Sequence, residues 1–258
     1  MQLDKSLSIL LFASATLSVA CTTEAESFQH SVDADTTHTM RVGIERGDLT
    51  LRGPASQELI QESQQLDIQG SSWGMANDPE TAAERRDGNT WIVHTSPRGE
   101  LLIESWSTYS RAGVDFEVAS PRELRSEMVL GNGTMTLSGT RGEHRIEASS
   151  MVLDRAGGQL ELYATSGSVH GDLLPIAGDR ITIYAESGNV DLSLPRGLEY
   201  DLVVWGSPET TVMVADLGLH ARVDGQPGYF AGRSGRGHIQ VEVIAPLGDV
   251  TIRESWIW

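Results

Sequence analysis

The chain carries very little positive charge and almost no cysteine. Its 258 residues include one cysteine, Cys21, and one lysine, Lys5, and its formal net charge is −17. A single cysteine excludes a disulfide within the chain. The acidic excess argues against nucleic acid as a partner, because phosphates would be repelled. A polysaccharide lyase built on this chain would have to rely on arginines, because Lys5 lies in the leader described next.

The sequence also lacks an apolar segment long enough to cross a membrane. The apolar segment from Leu7 to Ala20 has 14 residues, whereas a membrane-spanning helix needs about 20. Small residues, Ser18 to Ala20, come directly before Cys21. This arrangement predicts a signal peptide over residues 1–20.

The stretch "LSVAC" resembles the bacterial lipoprotein signal, in which the cysteine becomes the first mature residue and carries a lipid. The resemblance implies membrane anchoring through Cys21 in the bacterial cell envelope, as an outer-membrane lipoprotein where the source has two membranes. The alternative is an ordinary secretory signal cut after Ala20 that leaves Cys21 as a free thiol. Residues 21–38 are polar and acidic, and we expect a tether there. The folded domain is then predicted over residues 39–258.

One pattern recurs along the rest of the chain: a short run that alternates apolar and polar residues, a turn, and glycine followed by further alternation. Six copies begin at Arg41, Trp91, Met135, Leu160, Ile181 and Ile239. Alternation with period two indicates β-strands. In the copy that starts at Leu160, the pattern places Leu160, Leu162 and Ala164 inward, and Tyr163 outward.

The clearest echo joins "YATSGSV", from Tyr163, to "YAESGNV", which starts 21 residues later at Tyr184. A unit of about 20 residues cannot bury its apolar face alone, and stacked units can, so we predict a single-stranded β-helix, or β-solenoid. Equivalent residues would then lie about 4.8 Å apart. Tyr163 should therefore stack on Tyr184, and Val169 on Val190. A β-sandwich of hairpins is the competing architecture.

Two local features complete this prediction. Gly167 and Gly188 are expected at the corners, where glycine takes a positive φ without a steric clash. A short helix or an insertion loop is expected near residues 78–86, where "DPETAAERR" offers Asp78 as an N-cap and Pro79 at the first helical position.

The C-terminal half resembles a bacterial family of proteins. The phrases "ATSGSVHGDL", "AESGNVDLSLP" and "APLGDVTI" are similar to those of the putative-adhesin family, a domain of unknown function with β-helical repeats. The resemblance implies a right-handed β-solenoid on an exported protein. The family offers no catalytic residues to transfer.

The sequence shows no recognisable catalytic or metal motif. Its seven histidines include no His-x-x-x-His pair. His170 occupies the place of Asp191 in the next copy, which indicates an outward residue rather than a ligand. Solvated turns, rather than calcium ligands, are expected at Asp48, Asp172, Asp191 and Asp249. We therefore predict no catalytic residue, no metal and no cofactor.

The outward tyrosines are the candidate binding face. Tyr163 and Tyr184, flanked by Thr165 and Glu186, would form a flat aromatic strip able to hold a sugar chain or another protein. The alternative is that the pair only stabilises the sheet. The tryptophans are expected to cap the ends of the fold rather than to bind sugars; they are Trp73, Trp91, Trp106, Trp205, Trp256 and Trp258.

These observations predict a noncatalytic cell-envelope lipoprotein that presents a solenoid face for binding or adhesion to a protein or glycan. The alternative is a carbohydrate-active enzyme on a β-helix scaffold. Three carboxylates or arginines that converge in a cleft would favour the enzyme, and a uniformly polar outer face would favour the binding protein.

Overall fold

The protein is represented by a computed structural model that describes residues 27–35, 37–54, 65–73, 89–107, 113–121, 123–215, 217–223 and 226–255. Within these ranges all regular structure is β, and none of them contains a helix able to span a membrane. Cys21, the predicted signal peptide and the predicted insertion at 78–86 lie outside the described residues.

The strands are numbered in chain order. They are β1 (Ser27–Asp33), β2 (Thr39–Arg46), β3 (Leu49–Arg52), β4 (Gln65–Trp73), β5 (Asn89–Thr95), β6 (Glu100–Ser107), β7 (Gly113–Ala119), β8 (Leu124–Asn132), β9 (Thr134–Ser138), β10 (Gly142–Ala148), β11 (Ser150–Ala156), β12 (Gln159–Ala164), β13 (Val169–Leu173), β14 (Arg180–Ala185), β15 (Val190–Pro195), β16 (Tyr200–Gly206), β17 (Val212–Val214), β18 (His220–Val223), β19 (Tyr229–Arg233), β20 (Ile239–Ala245) and β21 (Val250–Ser255).

These strands form two large mixed sheets. The 10-stranded sheet has the order β1-β4-β7-β3-β9-β11-β13-β15-β21-β17, and the 11-stranded sheet has the order β18-β19-β16-β20-β14-β12-β10-β8-β2-β6-β5. From β8 to β17 the chain alternates between the two sheets with every strand. Pairing is parallel in the middle of each sheet, and antiparallel pairs lie toward the ends, such as β5 with β6 and β16 with β19.

The prediction of a single-stranded right-handed β-solenoid of about 20-residue coils is wrong. The chain forms two mixed sheets whose strand order departs from chain order. A solenoid would pair each coil with the next one along the chain. Here β14 pairs with β20, some 60 residues later, and β16 lies on the far side of β20. The repeat reports which strands resemble one another, but it carries no information on these crossovers or on the antiparallel pairs.

Period-two alternation explains how each strand contributes to the core. In β12, Leu160, Leu162 and Ala164 are buried, whereas Glu161 is exposed and Tyr163 is half-buried. Buried side chains from both sheets form one hydrophobic cluster. Burial of apolar surface contributes about 25 cal/mol per Å², so this alternation holds each strand in a single register.

The 21-residue echo is confirmed as a register. Leu160 pairs with Ile181 and Tyr163 with Tyr184 between β12 and β14, and Val169 pairs with Val190 between β13 and β15. Both valines are at most 1% exposed. The parallel ladder therefore places equivalent residues of the two copies side by side on each sheet.

The corner glycines are required for a different reason from the one predicted. Gly167 and Gly188 do not have a positive φ. Instead, a Cβ on Gly188 would overlap the carbonyl oxygen of Gly167, and a Cβ on Gly248 would overlap that of Gly188. Glycine is required at these corners because each corner packs closely on the next, and not because the backbone is left-handed.

The N-terminal boundary of the fold also differs from the prediction. β1 lies within the segment expected to be a tether, and it pairs antiparallel with β4 from Ser27↔Ser71 to Asp33↔Gln65. Most of its side chains are exposed, because β1 is an edge strand with only Val32 buried. A polar edge strand of this kind gives almost no periodic signal in the sequence.

Candidate binding face

The outward face of the 11-stranded sheet carries a ladder of alternating charges. Arg41, Glu127, Arg145 and Glu161 lie side by side on β2, β8, β10 and β12, and we call these four residues the charge ladder. Arg41 lies 3.8 Å from Glu127, and Arg145 lies 3.9 Å from Glu161. All four side chains are well exposed, so each pair contributes at most about 1 kcal/mol.

The charge ladder forms one wall of a shallow hollow of about 750 Å³ on this face. A second hollow, of about 450 Å³, shares Glu127, Arg145 and Glu161 with the first, and Tyr163 and Tyr184 also line it. The two hollows are therefore neighbours on this face, and the second one extends to the tyrosines.

Tyr163 and Tyr184 are stacked on this face, as the echo predicts. Their ring centroids are 4.8 Å apart and their planes differ by 4°. Equal registers on adjacent parallel strands impose this geometry, because both side chains leave the backbone in the same direction. The stacking is confirmed, and the role of the pair in binding stays a prediction.

The two predicted flanking residues differ in what they contact. Glu186 is exposed and accepts a hydrogen bond of 3.2 Å from the Tyr163 hydroxyl. Partial desolvation, this hydrogen bond and nearby carboxylates raise the pKa of Tyr163. Thr165 donates to the backbone carbonyl of Ala148 at 3.4 Å. Glu186 therefore belongs to the tyrosine surface, whereas Thr165 supports the turn.

A serine–histidine contact lies beneath the charge ladder and was not foreseen. Ser126 Oγ is 2.7 Å from His144 Nδ1, and the two residues are 4% and 2% exposed. Burial lowers the pKa of His144 to about 4, against a smaller opposing effect of the Arg141 backbone. Both groups are almost fully buried, and both also border the first hollow. The sequence does hint at this contact, because Ser126 and His144 are polar residues at positions where the alternation predicts a buried, apolar one.

The remaining candidate residues have structural contacts. Asp48 accepts a hydrogen bond from the Thr134 amide at 2.7 Å, and Asp249 accepts one from the Thr211 amide at 2.9 Å. His170 is exposed and in register with Asp191, as expected from the repeat. Among the described residues, no three His, Cys, Asp or Glu side chains cluster as metal ligands.

Trp205 does not cap an end of the fold. It lies on β16, the third strand from the β18 edge, and 46% of it is exposed on the outward face. Its ring is 4.5 Å from that of Tyr229 on β19, at an angle of 53°. Trp106 is half-buried on β6. The side chains of Trp73, Trp91, Trp256 and Trp258 lie outside the described part of the chain.

Comparison with known proteins supports the fold only. No protein-family model matches the chain, and no curated protein matches it. Its structure is similar to that of a putative cell adhesion protein from Clostridium sporogenes, with a TM-score of 0.50, 11% identity, and coverage of 90% of this chain and 100% of that one.

Two further solved structures give lower scores. A putative adhesin from Bacteroides fragilis has a TM-score of 0.27 at 9% identity, with 89% of this chain and 97% of that one covered. A putative lipid binding protein from Parabacteroides distasonis has a TM-score of 0.26 at 10% identity, with 91% and 98% covered. The β-helical repeats implied by the resemblance to the putative-adhesin family are not confirmed.

Proposed function

We propose that this chain is a noncatalytic cell-envelope protein that binds a partner through the outward face of its 11-stranded sheet. The observation that carries the proposal is the stacked, half-buried pair of Tyr163 and Tyr184, which lines a hollow on the outward face. Tyrosine offers apolar area and a hydroxyl group at low entropic cost, which suits a binding surface. The likeness to a solved putative cell adhesion protein accords with this role.

The charge distribution favours binding over catalysis on this face. In the first hollow, oppositely charged side chains lie next to one another: Arg125 is 3.1 Å from Glu143, and Arg41 is 3.1 Å from Glu100. Catalytic carboxylates require unlike environments that separate their pKa values. A surface whose charges neutralise their neighbours supports recognition, so the carbohydrate-active enzyme remains the weaker alternative.

A lipid on Cys21 would hold this face at the membrane surface of the cell envelope. A lone cysteine after an apolar segment of signal-peptide length supports the anchor. The acidic net charge would weaken adsorption of the protein itself to anionic lipid. In this proposal the lipid supplies attachment, and the sheet supplies recognition.

The test is binding of the purified protein to bacterial cell-wall glycan and to whole cells. The double variant Tyr163→Thr/Tyr184→Thr should keep the fold, because threonine suits an exposed strand, and should lose binding. Met213→Thr, an exposed residue on the 10-stranded sheet (55% exposed), is the matched control. If the tyrosine variant binds as well as the wild type, the pair only stabilises the sheet, by about 0.2–1 kcal/mol of folding free energy.

A further inference from the structure

The stacked tyrosines belong to a longer row of side chains. Tyr184 is in register with Ile244 on β20, Ile244 with Trp205 on β16, and Trp205 with Tyr229 on β19. We call Tyr163, Tyr184, Ile244, Trp205 and Tyr229 the aromatic strip. It crosses five neighbouring strands, which at about 4.8 Å per strand gives a length of roughly 19 Å.

The aromatic strip presents a polar edge despite its composition. The rings of Tyr163 and Tyr184 face each other within 4°, so much of their apolar area is covered by the neighbouring ring. Both tyrosines are half-buried, and the Tyr163 hydroxyl donates a hydrogen bond to the exposed Glu186. Trp205, with 46% of its surface exposed, adds an apolar platform near the other end. Such a row suits a ligand that has both hydroxyl groups and C–H faces.

Unpaired carboxylates accompany the strip. Glu147 is in register with Tyr163 on the adjacent strand β10, and Glu242 lies two residues before Ile244 on the same face of β20. Both are exposed, and neither forms an ion pair with a described residue. Glu186 follows Tyr184 by two residues in the chain and accepts a hydrogen bond from the Tyr163 hydroxyl. The strip therefore attracts positive charge, as does the chain as a whole with its net charge of −17.

We propose that the aromatic strip, together with Glu147 and Glu242, binds an amino-sugar polysaccharide, a linear glycan with free ammonium groups that lies across the strands. This inference rests on the proposed function and specifies its ligand. Sugar hydroxyl groups bond to the tyrosine hydroxyls, a C–H face of the glycan packs on Trp205, and the ammonium groups pair with the two carboxylates.

The dimensions favour a glycan over a peptide. Neighbouring strands lie about 4.8 Å apart. Sugar residues in an extended chain repeat at nearly this distance, so successive sugars meet successive side chains of the strip. An extended peptide advances about 3.3 Å per residue, and its side chains on one face repeat at about 6.6 Å, out of step with the strands.

A large protein partner fits less well. The strip is one side chain wide, whereas a stable protein interface covers about 800 Å² on each partner. A flat protein surface of that size would also cover the charge ladder and the exposed glutamates, with a cost in desolvation. A single glycan chain leaves those groups hydrated.

The experiment is calorimetric titration of the purified protein with a glucosamine hexamer at pH 6, where part of its amine is protonated. The N-acetylglucosamine hexamer, in which an acetyl group on each nitrogen removes that charge, is the ligand control, and a lysine hexamer tests a basic peptide. We expect binding of the glucosamine hexamer that weakens with salt, and at least about tenfold weaker binding of the other two ligands.

Variants assign the binding to the strip. Glu147→Gln/Glu242→Gln should weaken binding of the glucosamine hexamer about tenfold, and Trp205→Thr should weaken it by a similar factor. Glu117→Gln/Asp172→Asn, the same charge change on the 10-stranded sheet, should leave it unchanged. Thermal unfolding checks that each variant is folded.

Several results would overturn the inference. Equal binding of the N-acetylated hexamer, tighter binding of the lysine hexamer, or no effect of Glu147→Gln/Glu242→Gln would each do so. Loss of cell-wall binding in Tyr163→Thr/Tyr184→Thr without any binding of the glucosamine hexamer would reject the amino-sugar ligand and leave the proposed function standing. Unchanged cell-wall binding in the tyrosine variant would reject the proposed function itself.

Discussion

Ser126 Oγ and His144 Nδ1 are 2.7 Å apart inside the 11-stranded sheet, on neighbouring strands and in register. The histidine is 2% exposed, and burial lowers its pKa from 6.5 to about 4. The folded protein therefore holds this imidazole neutral at pH values where the unfolded chain binds a proton. Folding stability is fully present above about pH 6.5 and falls as the pH drops toward 4.

We predict that His144→Leu flattens this dependence. Between pH 7 and pH 4 the wild type should lose about 3 kcal/mol more in free energy of unfolding than the variant, since one pKa unit corresponds to about 1.4 kcal/mol. Urea denaturation at a series of pH values measures it. Ser126→Ala, which keeps the imidazole, should retain the wild-type slope. Parallel curves for the wild type and His144→Leu would mean that His144 does not control acid stability.

Gly188→Ala should destabilise the fold strongly. The new methyl group would overlap the carbonyl oxygen of Gly167 in the adjacent corner, and overpacking of this kind costs about 1–3 kcal/mol or more. Gly43→Ala is the control, because its methyl group would meet nothing closer than Glu104 Cγ at 4.0 Å. Chemical denaturation compares the two, and equal stability would contradict the stacked-corner explanation.

The inward and outward sides of β15 should respond differently to substitution. Val190 is 1% exposed, so Val190→Asp buries an unpaired carboxylate and should cost several kcal/mol, about 3 or more. Asp191→Asn removes an exposed ion pair with Arg253, at 3.2 Å, and should cost less than about 1 kcal/mol. Midpoints of thermal unfolding measure both, and a reversed order would overturn the register of β15.

Cys21→Ala should release the protein from membranes. The substitution removes the thiol that would carry the lipid, so labelling with a fatty-acid probe should disappear and the protein should move to the soluble fraction. Thr22→Ala, next to it in the chain, should do neither. A Cys21→Ala variant that fractionates with membranes as the wild type does would refute the lipid anchor.

The local part of the fold was predictable, because like residues occupy like places in neighbouring strands. Alternation and the 21-residue echo predicted the burial of β12 and β14, the Tyr163–Tyr184 stack and the Val169–Val190 pair. The candidate face followed from the same alternation. Each of these depends only on residues close together in the repeat.

The global arrangement was not predictable from the same pattern. The copy that begins at Ile239 resembles the one at Ile181, but no pattern in the sequence indicates that β20 lies between β14 and β16 in the sheet. For that reason the sequence could not predict that Ile244, Trp205 and Tyr229 continue the row that Tyr163 and Tyr184 begin. Their sequence separations are about 24 to 60 residues and follow no period.

The insertion of β20 between β14 and β16 affects how the chain is made. During synthesis β14 and β16 emerge long before Ile239, so for a time each has an open edge that only the last strands fill. Open edges recruit other chains, and pairing over long sequence separations is slow. A protein truncated before residue 239 would retain those edges permanently. β20 therefore protects the folded protein against aggregation through these edges, and a truncation that removes it should be more damaging than the few residues lost would suggest.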